Sequence, residues 1–441
     1  MKIKLLLCLI LSMLIALPAR AELFGLKGYV LENGMRLIVV PNHKAPVAKH
    51  MVWYKVGAAD EEAGKGGAAH LLEHLMFRGT QKVKGQSFNR ILEENGANSN
   101  AFTAQDVTVY HQFVDISRLE LAMALEADRM SNLAIDKESF ETERQIVYQE
   151  RKQVVENNPL YKFNEELQRI FWSNHPYSQP ITGSEEEILK LTRGDVLDIY
   201  HRYYVPNNTV LVIAGDIDPN TAYRLAEKYY GKIKPGQVED IKQSFDAKSE
   251  SLIMLKMKLP GIELPRLVKK YHVPAYYDGK DSVYAYMVLS KYLGEGEISK
   301  LYVEMAVKNK IATAVSTNYD FTAFRGGSFS VSAVPAKGVS IDDLKTALDA
   351  AMTKAIGEFD AKELQKIKKQ MLSGLVYMKD NPSDAAQIVG MLATAGMSDE
   401  EIESYADNIA KVTVADVKKA YTQMLKSTQT EASVEPEGAK K

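Results

Sequence analysis

Cysteine is nearly absent from this chain of 441 residues: there is one, Cys8. A lone cysteine closes no internal disulfide and supports no multi-thiolate metal site. A surplus of positive charge is missing as well. Lys and Arg number 55 against 57 Asp and Glu, a net charge of -2. A nucleic-acid binder carries a basic surplus, so that class of function is excluded. Long apolar runs are scarce, and beyond the first seventeen residues none approaches the roughly 18 needed to suggest a membrane span. Histidine is sparse, at 8 residues, so any pair at a metal-binding spacing stands out. What remains is ordinary globular composition, with 46% hydrophobic and 25% charged residues, which excludes disordered, collagenous and coiled-coil chains. At roughly 100–200 residues per domain, the length fits two to four domains.

The first residues read as an export signal. Lys2 and Lys4 give a positive start, Leu5 to Leu17 is apolar apart from Ser12, and Ala19-Arg20-Ala21 is an A-x-A cleavage site. The run is too short to cross a bilayer, which takes about 20 residues. The expectation is a signal peptide over 1–21, cleavage before Glu22, and a soluble periplasmic protein without a stable membrane span. Cys8 leaves with the signal, so any metal site in the mature chain must use His and carboxylates. Lys2, Lys4 and Arg20 leave too, taking the net charge from -2 to about -5.

The rest reads as two similar halves, 22–235 and 251–426, joined by a linker over 236–250. Alternating stretches predict strands at Arg36–Val40, Val52–Val56, Val107–Tyr110 and Thr209–Ile213. Helical stretches lie between them, at Ser117–Leu133 and Lys137–Glu156. The mixture recurs with strands at Leu252–Lys258, Leu267–Tyr271, Ile311–Thr317 and Gly327–Ala333, and helices at Asp281–Leu293, Ile341–Gly357 and Ala361–Met378. Thr192 to Tyr200 is repeated as Thr413 to Tyr421, 221 residues later. In both copies a Thr stands where it caps a helix and an Asp falls in the first turn. The polar segment 427–441 is expected to be a disordered tail.

The chemistry concentrates at His70-Leu71-Leu72-Glu73-His74. On a helix His70 and His74 are i and i+4, so two imidazoles share one face and can grip one zinc ion. Glu73 borders that face and can serve as base toward a metal-bound water without being a ligand. The order inverts the H-E-x-x-H signature of zinc peptidases. A third ligand must be another His or a carboxylate. His43, His50, His111, His175, His201 and His272 are scattered. Glu143 and Glu150, seven residues apart, share a face of the acidic helix beyond, and spacing does not choose between them.

The segment Gly64 to Thr80 around this motif resembles the insulinase/pitrilysin family of zinc peptidases, in the branch of the mitochondrial processing peptidase and its bacterial relatives. Gly57-Ala-Ala-Asp60-Glu61, Asn100-Ala101-Phe-Thr103, His175-Pro176-Tyr177 and Tyr204-Val-Pro206-Asn207-Asn208 fit the same pattern. The resemblance implies an α+β fold of two homologous halves. Each half is a mostly antiparallel sheet packed with helices, and the whole chain forms half of a clamshell. It implies a zinc metalloendopeptidase acting on unfolded peptides in a closed chamber, with one zinc per chain held by His70, His74 and Glu150. Glu150 lies at the family's position 76 residues beyond His74. Glu73 is then the general base, Glu143 supports the site, and Asn100 and Ala101 lie on an edge strand to which substrate adds. The family's second-half Arg and Tyr, which reach substrate across the clamshell, are replaced here by Ala306 and Thr313. A dimer with a related subunit that keeps the pair is therefore expected. The contrasting reading is a non-catalytic structural or peptide-binding subunit of the same family.

Overall fold

The computed structural model describes residues 22–85, 87–238 and 251–438. The signal segment and most of the linker lie outside the described residues.

The first half is built on a six-stranded sheet: β1 (Lys27–Val30), β2 (Arg36–Pro41), β3 (Val47–Tyr54), β4 (Asn98–Thr103), β5 (Thr108–Asp115) and β6 (Thr209–Gly215). Its order is β1-β2-β6-β3-β5-β4. Only β2 and β6 run parallel. The second half has β7 (Leu252–Leu259), β8 (Arg266–Val273), β9 (Ala312–Asp320), β10 (Gly327–Pro335) and β11 (Gln429–Pro436), in the order β7-β11-β8-β10-β9. Only β7 and β11 run parallel there. With β1 set aside, the two orders match strand for strand, including the one parallel pair. The fold is α+β with two homologous halves, and the repeated helix starts are its local trace. Thr192 and Thr413 each accept the backbone N–H of the Asp three residues on, and each Asp accepts the N–H of its Thr. This reciprocal cap fixes the same helix before β6 and before β11.

That equivalence corrects the expectation for the end of the chain. Residues 429–436 are not disordered: β11 lies between β7 and β8 and is hydrogen-bonded on both sides. Its polar composition hid it. Thr430 and Val434 are fully buried, and the Glu431 carboxylate meets Lys345 at 2.8 Å. The ladders on both sides and this ion pair satisfy most of the strand's polar groups, while the Thr430 hydroxyl is buried without a partner.

The first sheet is covered on both faces, which is why β6 reads as an unbroken Val-Leu-Val-Ile run. Leu37, Val39 and Val52 pack with Leu71, Leu72 and Leu75 of the first half. Ile38, Met51, Trp53 and Val212 instead share a core with Tyr271, Leu289, Leu348 and Val389 of the second. The helix Pro382–Thr394 lies against β3 and β6. At Gly390 a Cβ would stand 2.2 Å from the Trp53 indole. Gly390→Ala is therefore expected to cost about 1–3 kcal/mol by overpacking. A chemical-denaturation midpoint equal to that of the unmodified chain would contradict this packing account.

Candidate metal centre

The motif helix runs from Ala68 to Leu75. Gly67 starts it at φ 87°, where a Cβ would also lie 2.5 Å from the Thr182 carbonyl oxygen, so both conformation and space call for glycine. The start is further tied by Glu61, whose carboxylate accepts the N–H of Gly67 at 2.9 Å and of Ala69 at 2.7 Å. Burial pushes the Glu61 carboxyl up to about 8, and these two N–H bonds act against that shift. Leu71, Leu72 and Leu75 are buried in the first-half core, so the opposite face presents His70, Glu73 and His74.

Opposite stands the acidic helix, Lys137–Asn157. One ligating atom each from His70, His74 and Glu150 lie within 4.8 Å of one another. The two imidazole rings are 4.9 Å apart. His74 Nε2 is 3.4 Å from Glu150 Oε2, and His74 Nδ1 is 3.2 Å from Glu143 Oε2. Glu143 does not join the three. It sits behind His74, bound as well to the Arg78 guanidinium. The choice that spacing left open between Glu143 and Glu150 is thus a difference in which nitrogen of His74 each carboxylate faces.

The electrostatics fit a cation. Burial lowers His74's affinity for a proton, yet Glu143 and Glu150 outweigh it and lift the imidazole to about 9. Burial, with His74 beside it, holds His70 down at about 4, leaving that ring neutral. The contact with His74 keeps Glu150 below the usual carboxylate range. Burial opposes ionisation of Glu143, but His74 and Arg78 hold it ionised. His70 Nδ1 is buried with no hydrogen-bond partner. Two imidazoles and a carboxylate, one imidazole steadied by a further carboxylate, are the donor set and outer support that zinc takes.

Glu73 lies beside this group. Thr103 Oγ1, on β4, donates to Glu73 Oε2 at 2.6 Å. Burial pushes the Glu73 carboxyl up, and the Thr103 bond partly offsets it. Asn100 and Ala101 are on the same strand, which is the edge of its sheet. Asn100 also lines a cleft of about 860 Å³ with Glu73, His74, Phe77, Arg78 and Glu143. The roles of Thr103 and Arg78 are not legible in the sequence, because their partners are 30 and 65 residues away. The remaining histidines stand apart: His50 meets Gln112 and Tyr230, His175 meets the Arg325 carbonyl, and His272 meets the Phe171 carbonyl.

Most of the chain is similar to known proteins. Residues 36–185 match the family described as Insulinase (Peptidase family M16), and residues 190–371 match the Peptidase M16 inactive domain. The chain is 28% identical to the zinc protease PqqE of Helicobacter pylori over 90% of both chains. It is 32% identical to a probable mitochondrial-processing peptidase subunit beta of Schizosaccharomyces pombe, over 46% of this chain and 45% of that one. A crystal structure of a protease from Helicobacter pylori superposes with a TM-score of 0.85 at 26% identity, covering 93% of this chain and 99% of that one. These relatives support a peptidase-type function and a zinc cofactor. With residues 36–185 and 190–371 both matched by models of one family, the chain belongs to the insulinase family of peptidases, M16.

Proposed function

We propose that this chain is a zinc-dependent endopeptidase that hydrolyses unfolded peptides or short polypeptides. The observation that carries this reading is the convergence of His70, His74 and Glu150 beside a Glu73 carboxylate that faces the same cleft. His70, His74 and Glu150 would hold one zinc ion, and Glu143 would orient His74. Bound there, zinc supplies Lewis-acid chemistry worth several kcal/mol of charge stabilisation. The rest falls to the chain. Glu73, fixed through Oε2 by Thr103, uses Oε1 to take the proton of the attacking water and then hands it to the leaving amine. Substrate adds as a strand to the open edge of β4, by main-chain hydrogen bonds. The Ala101 N–H is now bonded to Asn100 Oδ1 at 2.9 Å, so a substrate using that N–H displaces the Asn100 side chain. The test is turnover of a quenched peptide by the purified mature chain, lost with a chelator and restored by about one equivalent of zinc per chain. No turnover in any zinc-loaded assembly would favour the structural or peptide-binding reading.

The same reading includes export to the periplasm and a partner subunit. No described helix is long and apolar enough to cross a membrane. Ala306 lies in the π-helical segment Val303–Lys308 and Thr313 on β9, and neither offers the rigid donor fork of an Arg. Lys308 nearby is engaged by Glu304 at 3.4 Å. A Tyr-type donor toward developing negative charge is typically worth about 2.7–4 kcal/mol. The chain alone should therefore be a weak peptidase. A related subunit with the Arg and Tyr should raise turnover by about 10²-fold or more, and full activity of the isolated chain would reject the heterodimer.

A further inference from the structure

The segment before the motif helix and the turn after β4 meet one cation from the other half of the protein. Arg325 lies between β9 and β10, inside the stretch matched by the inactive domain. Its Nη2 is 2.5 Å from Asp60 Oδ1, and its Nη1 is 2.5 Å from Asp106 Oδ1. All three side chains are buried, at 8% exposure for Arg325 and Asp60 and 9% for Asp106. The loop around Arg325 is bonded at several further points. Phe324 N–H donates to Asp106 Oδ2 at 3.0 Å, Arg325 N–H donates to the Tyr177 hydroxyl at 2.9 Å, and His175 Nε2 donates to the Arg325 carbonyl at 3.0 Å. The Tyr177 hydroxyl in turn donates to Asp106.

Each aspartate leads to a different part of the site. Asp60 precedes Glu61, the residue that caps the motif helix through Gly67 and Ala69. Asp106 sits in the turn from β4 to β5, three residues beyond Thr103, which holds Glu73. The two segments are also stitched directly. Ala58 N–H donates to the Ala104 carbonyl at 3.1 Å, and Ala59 N–H to the Gln105 carbonyl at 2.8 Å. Gly57 permits this approach, since a Cβ there would stand 2.3 Å from the Ala104 oxygen.

We propose that Arg325 is a positioning residue for peptide hydrolysis: its forked guanidinium locks the start of the metal helix and the substrate strand in one register. The second half thereby acts on the site without touching substrate. Arg suits this role because its planar fork satisfies two carboxylates at once, which an ammonium cannot match. Without it, two buried carboxylates keep hydrogen bonds from Gly57, Phe324 and Tyr177 but lose their counter-charge, a costly arrangement that drives the segments apart or forces protonation.

The inference rests on the peptidase reading for its kinetic arm only. Arg325→Met keeps the bulk and removes the charge and the fork. In metal-free protein, amide hydrogen exchange should quicken over residues 57–69 and 104–107 while β8 and β10 stay protected. In zinc-loaded protein, with its partner subunit if turnover requires one, kcat/KM should fall at least about 10-fold. Arg325→Lys should recover part of both. If Arg325→Met does not fold, Asp106→Asn decides: exchange should quicken over 104–107 but not over 57–69, and KM should rise more than kcat falls. Unchanged exchange in both segments overturns the proposal. So does faster exchange with unchanged kcat/KM, which would make Arg325 a stability element only. If no assembly turns over peptide, the peptidase reading fails, and the exchange data still decide whether Arg325 locks the two segments.

Discussion

Glu73→Gln is expected to lower turnover at least about 10²-fold while zinc stays bound. Gln has the shape of Glu and can still accept the hydrogen bond that Thr103 gives to Glu73 Oε2 at 2.6 Å. The local structure around His70 and His74 should therefore survive. What goes is the group that takes and returns a proton, and general-base catalysis typically contributes about 10²–10⁴-fold. The loss should appear in kcat, since Glu73 is neither a zinc ligand nor part of the substrate strand in this account. The check is steady-state cleavage of a quenched peptide beside metal analysis of the same sample. Near-normal turnover with zinc confirmed would remove Glu73 from the mechanism.

The second large effect separates two carboxylates on one helix. Glu150→Gln should sharply reduce zinc occupancy, because a neutral amide is a poor replacement for a carboxylate ligand. Glu143→Gln should retain more metal and lose activity. Glu143 holds His74 through Nδ1 and is itself paired with Arg78. Removing its charge loosens the imidazole and strands the guanidinium, and changes of this kind typically cost about 10–100-fold in metal affinity or activity. Competition with a chromogenic chelator measures the affinities, and peptide turnover measures the rest. If Glu143→Gln loses the metal and Glu150→Gln keeps it, the ligand assignment is reversed.

Much of this site could be read from the sequence because its parts are local. His70, Glu73 and His74 lie within two helical turns, and the leucines between them state which face is buried. The two halves were legible because alternation and helix caps are also local patterns, and the capped Thr192 and Thr413 helices proved to be structural equivalents. Glu150 was harder. Its seven-residue offset from Glu143 puts both on one face, and only the orientation of His74 between them separates their positions. β11 was missed because Thr, Glu and Ser suggest a solvated tail, whereas its backbone is paired with β7 and β8 and Glu431 meets Lys345. Applied one step further, the repeat leads to it: the helix after Thr192 precedes β6, so the helix after Thr413 should precede a strand. Arg325 was invisible for a different reason. Its carboxylate partners are 265 and 219 residues away, and no periodicity reports a pairing of that range.

The most direct measurement is anomalous diffraction at the zinc absorption edge, from crystals of the Glu73→Gln chain grown with zinc. The account predicts one strong peak per chain, within about 2.0–2.2 Å of His70, His74 and Glu150, with Glu143 hydrogen-bonded to His74 and outside bonding distance of the metal. A peak ligated by Glu143 in place of Glu150, or no peak at this group while zinc binds elsewhere on the chain, would contradict it.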